Sequence, residues 1–152
     1  IISAEIIVIA PGNLYSSLAP ALLAPEISQA MQNSSGLIIY VPNLVTKPGQ
    51  TDGFKVHDFV SEIERFIGKP SIDVVLFNNV KPSKDLLDLY AAQGEFGVEF
   101  DETIMRNAPY KAIGGNYIGE IYKPGKVDLL KRTLIRHDSD LIAKSIVEVS
   151  SE

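Results

Sequence analysis

The chain contains no cysteine. Disulfide bridges and thiolate metal sites are therefore excluded, and a reducing cytoplasm fits this usage. No run approaches the roughly 18 apolar residues that a membrane-spanning helix needs. Basic residues are also in short supply. Fourteen Lys and Arg against nineteen Asp and Glu leave a net charge of −5. Nucleic-acid binding calls for a basic face, and this balance argues against it. Several catalytic signatures are missing as well. No Gly-Lys-Ser/Thr follows a Gly-rich loop, and there is neither a Gly-x-Gly-x-x-Gly turn nor a Gly-x-Ser-x-Gly elbow. The two histidines, His57 and His137, are far apart in sequence, so no protein-only metal motif is expected. No membrane or nucleic-acid partner is expected either.

What is present is alternation. At 152 residues with 45% hydrophobic content, the chain has the length of one domain and can fill a core. β-Branched apolar runs at residues 6–10, 37–41 and 72–77 suit strands buried on both faces of a parallel sheet. Residues 18–31 read as helical, with Pro20 in the first turn and a kink or break at Pro25. Val56, Phe59, Val60, Ile63, Phe66 and Ile67 recur at helical spacing until Gly68 and Pro70 stop the helix. Ser83 can cap a helix carrying Leu86, Leu87, Tyr90 and Ala91 on one face. Residues 94–126 are Gly-rich and less regular, with strand-like pieces at 98–100 and 117–121. Leu134-Ile135 reads as a short strand. Asp138 caps a last helix with Leu141, Ile142, Ile146 and Val149 inward. The fold class expected is α/β: a Rossmann-like, three-layer arrangement with a mainly parallel sheet and right-handed crossovers. Residues 1–152 form one such domain. The opening Ile1-Ile2 leads almost directly into a strand, as in a piece of a longer protein.

In such sheets ligands bind beyond the carboxyl ends of the strands. Five loops are expected there: 11–17, 43–53, 78–82, 114–116 and 136–138. The first, Ala10-Pro11-Gly12-Asn13-Leu14-Tyr15-Ser16-Ser17, joins a strand to a helix start, where backbone amides are unpaired and the helix dipole is positive. It reads either as an anion or nucleotide site or as an ordinary capped turn. The second loop holds two hydroxyls, two amides, a Lys and an Asp. It is either functional or a solvated crossover. Asn78-Asn79 could read a ligand edge or pair with nearby backbone. In Arg136-His137-Asp138, the Arg suits a phosphate or carboxylate, His137 could serve as a general base, and Asp138 more simply caps a helix. No paired catalytic carboxylates stand out, so the residues argue for a binding site better than for a reaction.

Three stretches, in order, resemble the CofD-like family. They are the first loop with Pro20 and Leu22-Leu23; Tyr40-Val41-Pro42-Asn43-Leu44-Val45-Thr46 through Lys47-Pro48-Gly49-Gln50-Thr51-Asp52; and Leu134-Ile135-Arg136-His137-Asp138 with Leu141 and Ala143. The likeness is closer to the gluconeogenesis-factor, or YvcK-type, branch and covers its C-terminal half. The enzyme branch, 2-phospho-L-lactate transferase, typically has Pro-Ser-Asn-Pro where this chain has Pro11-Gly12-Asn13-Leu14. The resemblance implies a UDP-sugar ligand such as UDP-N-acetylglucosamine, and a regulatory role in carbon metabolism, cell-wall precursor supply and cell shape. It places Gly12, Asn13, Tyr15 and Ser16 near phosphates or sugar, Asn43, Thr46 and Thr51 in the approach from the second loop, and Arg136 at the C-terminal edge. The alternative it implies is a transferase acting on a deazaflavin precursor, with a divalent metal assisting at the phosphates. Some positions depart from the pattern. Ala10 stands for Gly, Asn13 for Ser, Pro42 for Cys and Gln50 for Glu, while Phe59 follows Asp58 in place of Asp-His-Val. Losing a carboxylate and a His weakens an acid–base or metal role. The family's Gly-rich N-terminal half is absent, so a homo-oligomer or association with that half is expected.

Overall fold

The computed structural model describes residues 1–119 and 134–151. Four strands form one sheet in the order β1-β2-β3-β4: Ile6–Ile9, Leu37–Tyr40, Val74–Asn78 and Lys111–Gly115. Every pair is parallel, with Ile6 beside Leu37, Ile39 beside Val74 and Val74 beside Lys111. All four carboxyl ends therefore lie on one edge. The α/β class expected from the alternation is the fold observed.

The first helical stretch is broken at Pro25, as expected, and a π turn precedes it. A five-residue π turn, Leu14–Leu18, leads into α1 (Ala19–Leu22), with Pro20 in its first turn. Pro25 opens α2 (Pro25–Gln32) at a position where its missing N–H costs nothing. Helix α3 (Val56–Ile67) buries all six residues of its predicted stripe, each worth roughly 1.5–3 kcal/mol on full burial. The Asp58 carboxylate accepts from the Lys55 amide at 2.8 Å at its start, and Gly68 ends it at φ +94°.

Several expectations change downstream. Ser83 makes no side-chain cap to α4 (Lys84–Ala91), which buries Leu86 and Tyr90 but leaves Ala91 exposed. The irregular middle contains α5 (Glu102–Arg106), capped by Asp101, and also β4, so Gly114 and Gly115 belong to a strand rather than a turn. Residues 97 and 99 form single bridges to Val45 and Lys55 instead of a strand. Leu134-Ile135 is not a strand either. Both amides donate to the Tyr90 hydroxyl, at 2.7 and 2.9 Å, and Ile135 is buried beside Leu86. Positions 120–126 of the Gly-rich stretch lie outside the described residues. Asp138 caps α6 (Ser139–Ser150) through the amides of Asp140 and Leu141. Ile142, Ile146 and Val149 pack inward, whereas Leu141 is exposed, because the inward stripe begins one residue later.

The sheet has two differently covered faces. Ile9, Ile38, Tyr40, Val75 and Phe77 pack with α1–α3 and Met105 of α5. Ile39, Val41, Val74 and Leu76 pack with Tyr117 and α6.

Candidate functional site at the carboxyl edge of the sheet

The loop after β1 is organised by one side chain. Asn13 Oδ1 accepts from the amides of Tyr15 (3.2 Å) and Ser16 (3.1 Å). Its carbonyl accepts from both Ser17 and Leu18, which widens the first turn into a π turn. Leu14, almost fully buried, anchors the turn in the core. The loop after β2 meets it directly, since the Gly12 amide donates to Asn43 Oδ1 at 3.3 Å. Both asparagines are thereby oriented by backbone donors, which fixes the identity of each amide nitrogen. Among the described residues, neither Nδ2 has a hydrogen-bond partner, and the Ser16 hydroxyl is exposed.

The other expected residues lie elsewhere along this edge. Tyr15 leans on α3, with its ring 6.0 Å edge-on from Phe66 and its hydroxyl donating to Glu62 at 3.2 Å. Burial first, and then the Glu62 charge, raise its pKa. Thr46 and Thr51 are buried, and their hydroxyl oxygens accept from the amides of Phe96 (3.0 Å) and Lys47 (2.8 Å). These bonds fasten the second loop to the 96–100 segment and close it on itself, with Gly49 and Gly53 at φ +72° making the bends. Asn78 accepts from the Tyr117 amide at 3.1 Å and donates to the Val80 carbonyl at 2.6 Å, so it does pair with neighbouring backbone.

Arg136 lies in a segment that returns over the sheet. Its carbonyl accepts from Gly119, Ile118 pairs with His137, and the Asp138 amide donates to Tyr117. The His137 ring is hydrogen-bonded to the Pro42 carbonyl, which carries the segment from β4 back to the end of β2. Burial holds the His137 pKa below its ordinary value, and the Pro42 bond partly opposes this.

The pattern reading did not anticipate a cleft of about 550 Å³ beside this edge, lined by Asn78, Asn79, Lys81, Phe96, Phe100 and Glu102 among others. Its outer wall is the 96–100 segment. The alternation Phe96-Gly97-Val98-Glu99-Phe100 was the available signal. A smaller space between it and the second loop is lined by Pro42, Asn43 and Asn78. The donors gathered along the edge are amides and hydroxyls. Among the described residues, no group of three or more His, Asp or Glu side chains comes together.

The geometry defines a parallel α/β protein whose loops gather at the carboxyl ends of its strands, where a cleft opens beside β3. The family model described as 2-phospho-L-lactate transferase CofD matches residues 1–118. The chain belongs to the CofD family. It is 36% identical over 147 residues to a provisionally named gluconeogenesis factor of Thermotoga maritima, covering 97% of this chain and 44% of that protein. It is 28% identical over 149 residues to the gluconeogenesis factor of Bacillus subtilis, covering 98% and 44%. The crystal structure of protein BH3568 from Bacillus halodurans superposes with a TM-score of 0.83 at 27% identity, over 96% of this chain and 44% of that one. The chain thus spans less than half the length of these relatives and corresponds to their C-terminal part.

Proposed function

We propose that the protein binds a nucleotide sugar of the UDP-N-acetylglucosamine type at the carboxyl edge of the sheet. In this reading it acts as a regulatory gluconeogenesis-factor-type protein, with outputs in carbon metabolism and cell shape. The observation that carries the reading is the Gly12–Asn43 hydrogen bond. It joins two loops and leaves the Nδ2 donors of Asn13 and Asn43 for phosphate or sugar oxygens. Donors aimed at an anion from a pre-set turn bind with little ordering cost. The similarity to gluconeogenesis factors supports the regulatory side. Arg136, on the returning segment, is the cation assigned to the diphosphate.

Calorimetric titration with UDP-N-acetylglucosamine tests this, using the chain together with the part that precedes it in its relatives. Saturable binding is expected, weakened about tenfold or more by Asn13→Ala, which removes a hydrogen bond to a charged group. No saturable heat up to millimolar ligand overturns the reading.

One observation favours a second reading. The matched family model carries the description of a phospholactate transferase. Turnover of a deazaflavin acceptor that vanishes in Asn13→Ala supports that activity, and a flat progress curve removes it.

A further inference from the structure

The first loop is held from outside as well as from within. Tyr15 stands one residue beyond the buried Leu14, and its ring lies edge-on to Phe66 of α3. Its hydroxyl donates to Glu62 Oε2, one turn earlier on the same helix. Glu62 is itself held. Arg65 Nε and Nη2 donate to its two carboxylate oxygens at 2.9 and 2.7 Å, a bidentate fork across one helical turn. The Arg65 guanidinium also lies over the Phe66 ring, 4.9 Å from its centroid. The buried Phe66 is thus the floor on which both Tyr15 and Arg65 lean.

These contacts add little to overall stability. The Arg65 side chain is 62% exposed, and exposed ion pairs on a helix stabilise a fold only weakly. Their effect is directional. The Arg65 guanidinium holds the Glu62 carboxyl below the ordinary carboxylate range, so the acceptor stays ionised, and it fixes where the oxygens lie. Tyr15 then has one place for its hydroxyl and one for its ring, which sets the rotation of its backbone. The Tyr15 amide donates to Asn13 Oδ1, together with the Ser16 amide. An amide side chain that accepts on Oδ1 has the direction of its Nδ2 fixed. A continuous line of contacts therefore runs from Arg65 through Glu62 and the Tyr15 ring to the Nδ2 donor of Asn13.

We propose that Tyr15 is a positioning residue of the ligand site: clamped by Glu62 and Arg65 of α3, it aims Asn13 from behind the turn. The purpose of this device rests on the ligand reading given above, and its geometry rests on the hydrogen bonds of the turn. Leu14 roots the turn in the core, but a buried aliphatic side chain sets its depth and not its rotation. The Tyr15–Glu62 bond supplies the rotation by joining residues 47 apart in sequence. The loop after β2 runs into α3, and its Asn43 accepts from the Gly12 amide. Both loops are thereby held in the frame of one helix. The ring and the hydroxyl of Tyr15 are both required, the ring to lean on Phe66 and the hydroxyl to reach Glu62.

Deuterium exchange of residues 14–18 tests this, without ligand, in the chain joined to the part that precedes it in its relatives. Tyr15→Phe keeps the ring and loses the anchor. Glu62→Ala keeps the tyrosine and loses the acceptor. Each is expected to speed exchange of the turn by about threefold or more, and the two together no further than either alone. Exchange of residues 74–78 in β3 stays as in the native protein. Glu62→Gln, whose side-chain oxygen still accepts from the hydroxyl, restores slow exchange. Calorimetric affinity for UDP-N-acetylglucosamine follows the same order. It weakens about three- to tenfold in Tyr15→Phe and Glu62→Ala and recovers in Glu62→Gln. Unmoved exchange in Tyr15→Phe overturns the proposal, and so does exchange that rises equally in β3. A faster turn that keeps full affinity overturns it as well. If the native protein does not bind the nucleotide sugar, the ligand reading fails, while faster exchange confined to the turn still supports the clamp.

Discussion

The two faces of the sheet are built from the same kinds of residue, yet they are finished to different degrees. On the crossover face, Phe59, Ile63, Val75 and Tyr40 have no exposed surface. On the α6 face, burial is equally complete at Ile39 and Leu76 but stops at β1. The difference follows from topology rather than composition. A run of crossovers in one direction fills one side of a sheet, and the other side depends on what comes after β4 and what stands beyond β1. Hydrophobic sequence alone therefore does not tell a buried strand from one awaiting cover.

The sharpest way to separate the faces is to remove packing from the finished one. Phe59→Ala is expected to destabilise the chain by about 3–5 kcal/mol in urea unfolding, as loss of a large core side chain does. Next in size is one substitution made on both faces. Val75→Thr buries a hydroxyl without a partner and should cost about 1–3 kcal/mol, whereas Val8→Thr in the chain alone should stay within about 0.5 kcal/mol. Equal costs would break the comparison. On the α6 face, Tyr117 donates to Ser145 Oγ at 3.0 Å. Tyr117→Phe should cost about 1 kcal/mol in the same assay.

A smaller effect comes from pH. His137 is held below its ordinary pKa by burial, so the folded chain prefers the neutral ring. The stability tied to this ring is complete above the unfolded-state pKa of about 6.5. It is lost as pH falls from there toward the lowered folded value, because the unfolded chain takes up the proton first. Thermal melts across this window should fall more steeply for the native chain than for His137→Gln. The smallest effect is expected at Tyr40, whose buried hydroxyl has no hydrogen-bond partner among the described residues. Tyr40→Phe removes that orphan group and should leave stability unchanged or slightly raised.

Much of this architecture was legible in the sequence, and the exceptions have physical reasons. Strands β2 and β3 and the α3 stripe were plain because period and burial coincide there. Pro25 marked its own break. Strand β4, Lys-Ala-Ile-Gly-Gly, carries little β propensity, and its conformation is imposed by pairing with β3. Leu134-Ile135 has a strand's composition, but its amides are taken by Tyr90 from a distant helix, which no local pattern encodes. At the candidate site, the loops were legible as loops after strands. The division of labour within them was not. Asn13 orders the first loop and Asn43 ties the second loop to it, whereas Thr46 and Thr51 fasten the second loop, and a polar side chain reads the same in sequence in either role.

The all-parallel pairing also governs how the chain is assembled in time. Ile6 must wait for Leu37, Ile39 for Val74, and Val74 for Lys111. Among the described strands no hairpin can nucleate the sheet, so closure of long loops precedes each reward, and folding is slow for a domain of this size. Strand β1 is the first of these strands to leave the ribosome. Until β2 is made, it is an apolar ribbon without the neighbour it pairs with here. The yield of soluble protein will therefore respond to expression temperature and chaperone supply.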